Sequence, residues 1–261
     1  MSLPEFQRAL SEMVMSPGFR NRVAEDPGGA LSAFDLSERE LRRLEALARD
    51  ARLKTGTILH RSTRLSMLSN TMPRTCRVLG PKGLKELTHA YWSEHPPYSA
   101  FFIQEGIRFG RFALDRLAEG QDLARAVLEA ELAMLELTEA EGVWEEPREL
   151  PPPPASGVWV PRLHPLCRAV RFRHPPLAVF AELDAGRVPR DLPEGERILL
   201  LVLTAPKRVS LHDLPPDQGR ALLAADGRTT AAELCRTRPL EVRAFEEMLA
   251  AGYLTAEAAP A

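Results

Sequence analysis

The sequence predicts an α+β chain, an all-helical N-terminal domain followed by a small winged-helix-like domain with a three-stranded antiparallel sheet. Three observations carry this expectation. Apolar residues recur at helical steps of three and four through the first 145 positions, with almost no strand-like alternation. Four consecutive prolines at 151–154 then impose extended geometry that no helix can continue. Beyond them the pattern turns to short apolar runs and alternation, and finally to three short helices with capping signals.

The elements follow in order. Leu3, Phe6, Leu10, Met13 and Val14 form one apolar stripe, and a short second helix carries Phe19 and Val23 up to the turn Asp26-Pro27-Gly28-Gly29. Ser37 with Glu40 three residues on is a capping box, opening a helix with Leu41, Leu44 and Leu47 on one face. Further helices fit 57–78, 82–94, 99–118 and 122–141, with breaks at Gly80-Pro81, His95-Pro96-Pro97 and Gly120. The Pro-rich stretch 147–156 is read as a linker between a helical domain, 1–146, and a second domain, 157–261. There, Ala169, Val170 and Phe172 with interleaved arginines suggest a first strand, the apolar run 198–203 a buried second, and 207–213 a half-exposed third. Ala205-Pro206 marks a tight connection between the last two. Helices over 215–225, 230–236 and 239–251 are delimited by Asp226-Gly227, by Thr230 with Glu233, and by Gly252. In such a plan the third strand lies at a sheet edge.

Composition excludes several classes. An apolar fraction of 44% and a net charge of −2 describe a globular chain with no overall pull toward nucleic acid or anionic membrane. No run of eighteen apolar residues occurs and the first residues lack a signal peptide's regions, so a cytoplasmic location is expected. Charge is uneven: residues 1–113 carry 17 Lys/Arg and 12 Asp/Glu, whereas 114–149 carry 3 and 11. The acidic segment either lies on the basic helices or faces solvent or a partner. Cys76, Cys167 and Cys235 are too scattered for a zinc site and read as free thiols. Nucleotide-binding glycine motifs, nucleophile elbows and zinc-hydrolase signatures are absent, and His60, His89 and His95 have no metal-ligand spacing. None of these residues supports a catalytic, cofactor or metal site.

Three segments are candidates for function. The stretch 91–99 gathers Trp92, His95 and Tyr98 at a helical corner, either as core or as an interface that docks another protein. The third strand, with Arg208, Val209, Ser210 and Leu211, is read as facing the last helix, whose Val242, Phe245, Leu249 and Tyr253 form an apolar stripe. A strand edge beside such a helix suits an extended peptide added as a further strand; equally, the stripe is the core of a small domain. The basic residues between Arg39 and Arg64 are interrupted by Glu38, Glu40, Glu45 and Asp50 and read as a solvated or partner-facing surface.

At residues 60–114, HRSTRLSMLSNTMPRTCRVLGPKGLKELTHAYWSEHPPYSAFFIQEGIRFGRFAL, the chain resembles the HvfC/BufC-type peptide-modification chaperones. The shared pattern is Leu79-Gly80, Tyr91, His95-Pro96-Pro97 with Ser99, and Gly106 with Phe109. LHPLCRAVRFRHPPLAVF (163–180) is similar to that family's second-domain opening, and LPPDQGRALLAADGRTTAAEL (214–234) resembles a PqqD-type recognition element. The first 52 residues resemble instead a LigA-type helical module preceding an HvfC-like bundle at 57–141, which places the chain nearest the MbnC- and TglI-type subunits of methanobactin and thiaglutamate biosynthesis. The resemblance implies a non-catalytic subunit in a heterodimer with a TIM-barrel multinuclear iron oxygenase. It would bind the leader of a ribosomal precursor peptide, along Arg208–Leu211 and Val242, Phe245 and Leu249, and present a core residue such as Cys. Iron would belong to the partner. The alternative is a DNA-binding regulator using the small domain as a winged helix.

Overall fold

The computed structural model describes residues 3–95, 102–139, 159–238 and 240–258. The stretch 147–156 lies outside them, as does Tyr98. The N-terminal part is helical: α1 (Leu3–Met15), α2 (Pro17–Glu25), α3 (Pro27–Ala30), α4 (Glu38–Arg49), α5 (Ala51–Thr71), α6 (Pro73–Glu94), α7 (Phe102–Leu114) and α8 (Asp122–Glu139). The C-terminal part comprises β1 (Trp159–Leu163), β2 (Cys167–Phe172), α9 (Pro176–Asp184), β3 (Arg197–Ala205), β4 (Arg208–Leu214), α10 (Pro216–Ala224), α11 (Ala231–Thr237), α12 (Val242–Ala250) and β5 (Leu254–Ala258). The fold is α+β, with an antiparallel sheet in the order β2-β3-β4.

Local chemistry explains most of the boundaries. Ser37 and Glu40 form the capping box at α4: Ser37 N–H donates to Glu40 Oε2 at 2.8 Å, and Glu40 N–H donates to Ser37 Oγ at 3.4 Å. Thr230 Oγ1 caps α11 by accepting from Glu233 N–H. The helix expected over 57–78 instead ends at Thr71, and the next begins with Pro73 at its first turn, where a missing N–H costs nothing. Gly80-Pro81 only kinks α6: Gly80 takes φ 66°, and Pro81 has no N–H to continue the ladder. Two features did not show in the periodicity. One is α9, and the other is a two-stranded antiparallel pair in which β5 returns to β1, Trp159 opposite Ala258.

Apolar burial falls into four clusters. Phe19, Val23, Leu31 and Leu44 fill the N-terminal module, while Leu68, Tyr91, Phe109 and Leu128 fill the bundle of α5–α8. The other two clusters lie on the two faces of the sheet. Leu199, Leu201, Leu203, Val170 and Phe172 pack on α8 and α9, whereas Leu200, Cys167 and Leu214 pack on α10–α12 and on Trp159. The period of two along β3 makes this split unavoidable once both faces are covered.

α8 is buried on two sides. Ala124, Leu128 and Leu132 belong to the helical bundle, and Ala126, Val127, Ala130, Ala133 and Leu137 belong to the sheet's core. Between these stripes Glu131, nearly fully buried, accepts from the N–H groups of Arg74 (3.1 Å) and Thr75 (2.8 Å) in the first turn of α6. The N-cap of α6 is Met72, whose thioether is only a weak acceptor and makes no capping hydrogen bond, so the cap arrives from a different helix. Burial raises the Glu131 carboxyl pKa, against those same hydrogen bonds. Glu131→Ala should therefore cost about 2–4 kcal/mol, because it leaves the buried Thr75 N–H and the half-buried Arg74 N–H unpaired; urea denaturation followed by circular dichroism measures it, with Glu131→Gln losing less.

Candidate peptide-binding edge and partner face

β4 begins at a tight hairpin. Pro206 fixes φ at the first central position, and Lys207 adopts φ 61° at the second, the left-handed geometry such a turn requires. β4 pairs antiparallel with β3 from Leu203 opposite Val209 to Ile198 opposite Leu214, and with no other strand among the described residues. Its far side is therefore a sheet edge, as expected.

The pleat decides what β4 presents. Val209 and Leu211 turn toward the core shared with α8 and α9. Ser210, His212 and Leu214 face the opposite side, where α12 packs. Ser210 Oγ and His212 Nε2 are 2.9 Å apart, and the His212 ring lies 5.9 Å from that of Tyr253, just beyond α12. The backbone carbonyl of Tyr253 accepts from His164 N–H, which ties this corner to the β1–β2 connection.

The residues expected to make one groove are therefore not all brought together. Arg208 is exposed, and Val209, Ser210 and Leu211 are half-buried on alternate faces. Phe245 is fully buried, edge-on to Trp159, and Leu249 is buried in the same cluster. Val209 and Phe245 thus lie on opposite sides of the sheet rather than facing each other. A charged residue in place of Phe245 would test folding of the C-terminal part, not binding. Val242 is 40% exposed and is the member of the α12 stripe left open to solvent.

The corner at the end of α6 is partly core. Trp92 is half-buried, with the guanidinium groups of Arg61 and Arg64 at 5.9 and 5.5 Å from its ring centroid. His95 is exposed overall, yet its ring sits 5.2 Å from Tyr91 and edge-on to Phe112 at 5.4 Å. Its carbonyl accepts from Arg64 Nη2 at 3.2 Å.

Arg64 itself departs from the solvated surface expected for the basic run: it is 4% exposed. Its Nε donates to Glu105 Oε1 at 2.6 Å, and Tyr91 Oη donates to Glu105 Oε2 at 3.3 Å. Burial first, then the Glu105 charge, push the Tyr91 hydroxyl up to about 12. On the next turn back, burial and the Arg64 charge hold His60 below its ordinary value. The three thiols are free, and burial pushes Cys76 up to about 11 and Cys167 to about 12, far from the range of a nucleophile. Among the described residues no group of three or more His, Cys, Asp or Glu is placed to hold a metal ion, and no helix is long and apolar enough to cross a membrane.

No protein-family model matches the chain, and no curated protein sequence matches it significantly. What can be said of the site rests on its residues.

Two outcomes follow. Arg64→Met should destabilise the chain by about 3–5 kcal/mol by stranding the buried Glu105 carboxylate, and Arg64→Met/Glu105→Leu should recover much of it, as read by urea unfolding. His60 and His164 both have depressed folded-state pKa values, mainly through burial. Their contribution to stability is present above the unfolded-state value and is lost as pH falls. The unfolding free energy should thus decline from about pH 7 to 5, and His60→Asn with His164→Asn should flatten that decline.

Proposed function

We propose that the chain is a non-catalytic subunit that binds the leader of a ribosomally made precursor peptide and presents the core to a multinuclear iron oxygenase. The observation that carries this reading is the β4 edge, unpaired among the described residues and flanked by His212 and Tyr253. An extended peptide adding to β4 would gain main-chain hydrogen bonds along Arg208–Leu214, with alternate side chains read at the Ser210–His212 corner. The antiparallel sheet β2-β3-β4 followed by the three short helices α10–α12 supports a winged-helix-like recognition domain of the PqqD type, with α9 inserted between β2 and β3 and a β1–β5 pair added to that plan. The likeness to HvfC-type chaperones supplies the partner, and the iron belongs to that partner.

The chemical advantage of such a subunit is concentration and orientation. Holding the leader converts an encounter between core peptide and iron site into a local event, which raises rate and selectivity without any catalytic group on this chain. α8, packed into both the helical bundle and the sheet, holds β4 in a fixed relation to the helical body, where Trp92 and His95 would face the oxygenase.

Calorimetric titration with the candidate precursor tests the reading. His212→Glu should weaken leader binding by at least about tenfold, with circular dichroism unchanged. Val242→Asp reports whether the groove extends along α12. Unchanged affinity in His212→Glu would remove β4 as the binding edge. Co-expression with the oxygenase should yield a heterodimer in native mass spectrometry, and salt-sensitive binding to duplex DNA in its place would favour a regulator.

A further inference from the structure

The two faces of β4 differ in chemistry, and this difference bears on what can lie beside its free edge. Val209 and Leu211 are half-buried on one face, where Met134 of α8 and Leu192, in the loop after α9, lean on the same apolar cluster. α8 and α9 both pack against β4, whereas α12 packs on α10, α11 and β5. The apolar wall next to the edge therefore comes from α8 and α9 rather than from the last helix.

The other face is polar. Arg208, Ser210 and His212 follow one another at steps of two, and Lys207 stands at the hairpin before them. Arg208 and Lys207 are exposed and enter no ion pair among the described residues. The carboxylate of β4, Asp213, lies on the opposite face at the far end of the strand. A strand added beside β4 sets each side chain on the same face as the β4 residue opposite it. Every second residue of that strand would meet Val209, Leu211 and the α8–α9 wall. The residues between would meet Arg208, Ser210 and His212. Lysines there would crowd two uncompensated cations, whereas carboxylates would neutralise them.

We propose, resting on the peptide reading above, that the β4 edge selects an acidic amphipathic strand: apolar residues at every second position, with Glu or Asp between them. Recognition is then shared between the sheet and α8 of the helical body.

Titration calorimetry of the full chain at low ionic strength with capped Gly-Val-Glu-Leu-Glu-Val-Gly tests this. The side-chain order is the same in both directions, so parallel and antiparallel addition are probed together. The peptide should bind at least about tenfold more tightly than the shuffled Gly-Glu-Glu-Leu-Val-Val-Gly, which has the same composition without the alternation. It should bind at least about threefold more tightly than the version with Lys for Glu. Arg208→Glu, at an exposed position, should reverse the preference between the glutamate and lysine peptides with circular dichroism unchanged. Photo-leucine at the central position should cross-link to α8 or α9. Equal binding of the alternating and shuffled peptides, an unchanged charge preference in Arg208→Glu, or cross-links to α12 would overturn the inference. If the peptides nonetheless lose affinity in His212→Glu, β4 remains the binding edge and only its selectivity is disproved. No heat from any of them at millimolar concentration would also overturn the inference, while titration with the precursor still decides the edge itself.

Discussion

The burial of α8 on two opposite faces is the constraint on which the rest of the structure depends. A surface helix needs one apolar stripe; α8 carries two, and small residues on the sheet side let it lie close against β2 and β3. Ala126, Ala130 and Ala133 make that approach possible, whereas Leu128 and Leu132 reach into the helical bundle. Glu131, in between, replaces the missing cap of α6. Arg74, in the same turn, extends the bridge to α9 through Asp184 at 2.8 Å and lies 4.4 Å from the Phe180 ring. Helical body and sheet are therefore coupled by packing and an ion pair, next to the buried carboxylate that ties α6 to α8.

This coupling changes how the two ends of the molecule are connected. A peptide edge on a freely hinged module would sample many orientations relative to the helical body, and effective concentration would be diluted accordingly. With Val209 and Leu211 themselves leaning on the α8–α9 core, β4 is part of the same packed structure. The buried Arg64–Glu105 pair has a comparable role at the other end, fixing α5 to α7 beneath Trp92 and His95. Such a pair adds little net stability over apolar replacements, but it specifies one arrangement and penalises others.

Features decided locally were legible in the sequence. The capping box at Ser37 and the buried run of β3 are written in adjacent residues, and the structure has both. The boundary at Met72 was not, because Gly80-Pro81 is the more conspicuous breaker and Pro73 reads as a start only once the preceding helix is known to have ended. β5 carries the weakly patterned LTAEA and exists because β1 offers it an edge. The same limit applied to the site. Period-two alternation says that Val209 and Leu211 share a face, but not which helix covers it, so pairing Val209 with Phe245 required a guess that tertiary packing reversed. Arg64 looked solvated among its basic neighbours, and its burial depends on a carboxylate 41 positions away.

The β1–β5 pair has a consequence for how the chain reaches this state. Its partners, Trp159 and Ala258, are ninety-nine positions apart, so the core around Trp159, Phe245 and Leu254 includes one of the longest-range pairings in the molecule. Contacts of such separation are entropically slow to form. During synthesis the helical part has all its residues before this segment leaves the ribosome, whereas Trp159 waits for Ala258, ninety-nine residues later. Until then β1 is an open apolar edge, the kind of surface on which chaperones act and stalled chains aggregate. A protein proposed to shepherd another peptide thus passes through a stage at which its own chain is the one at risk.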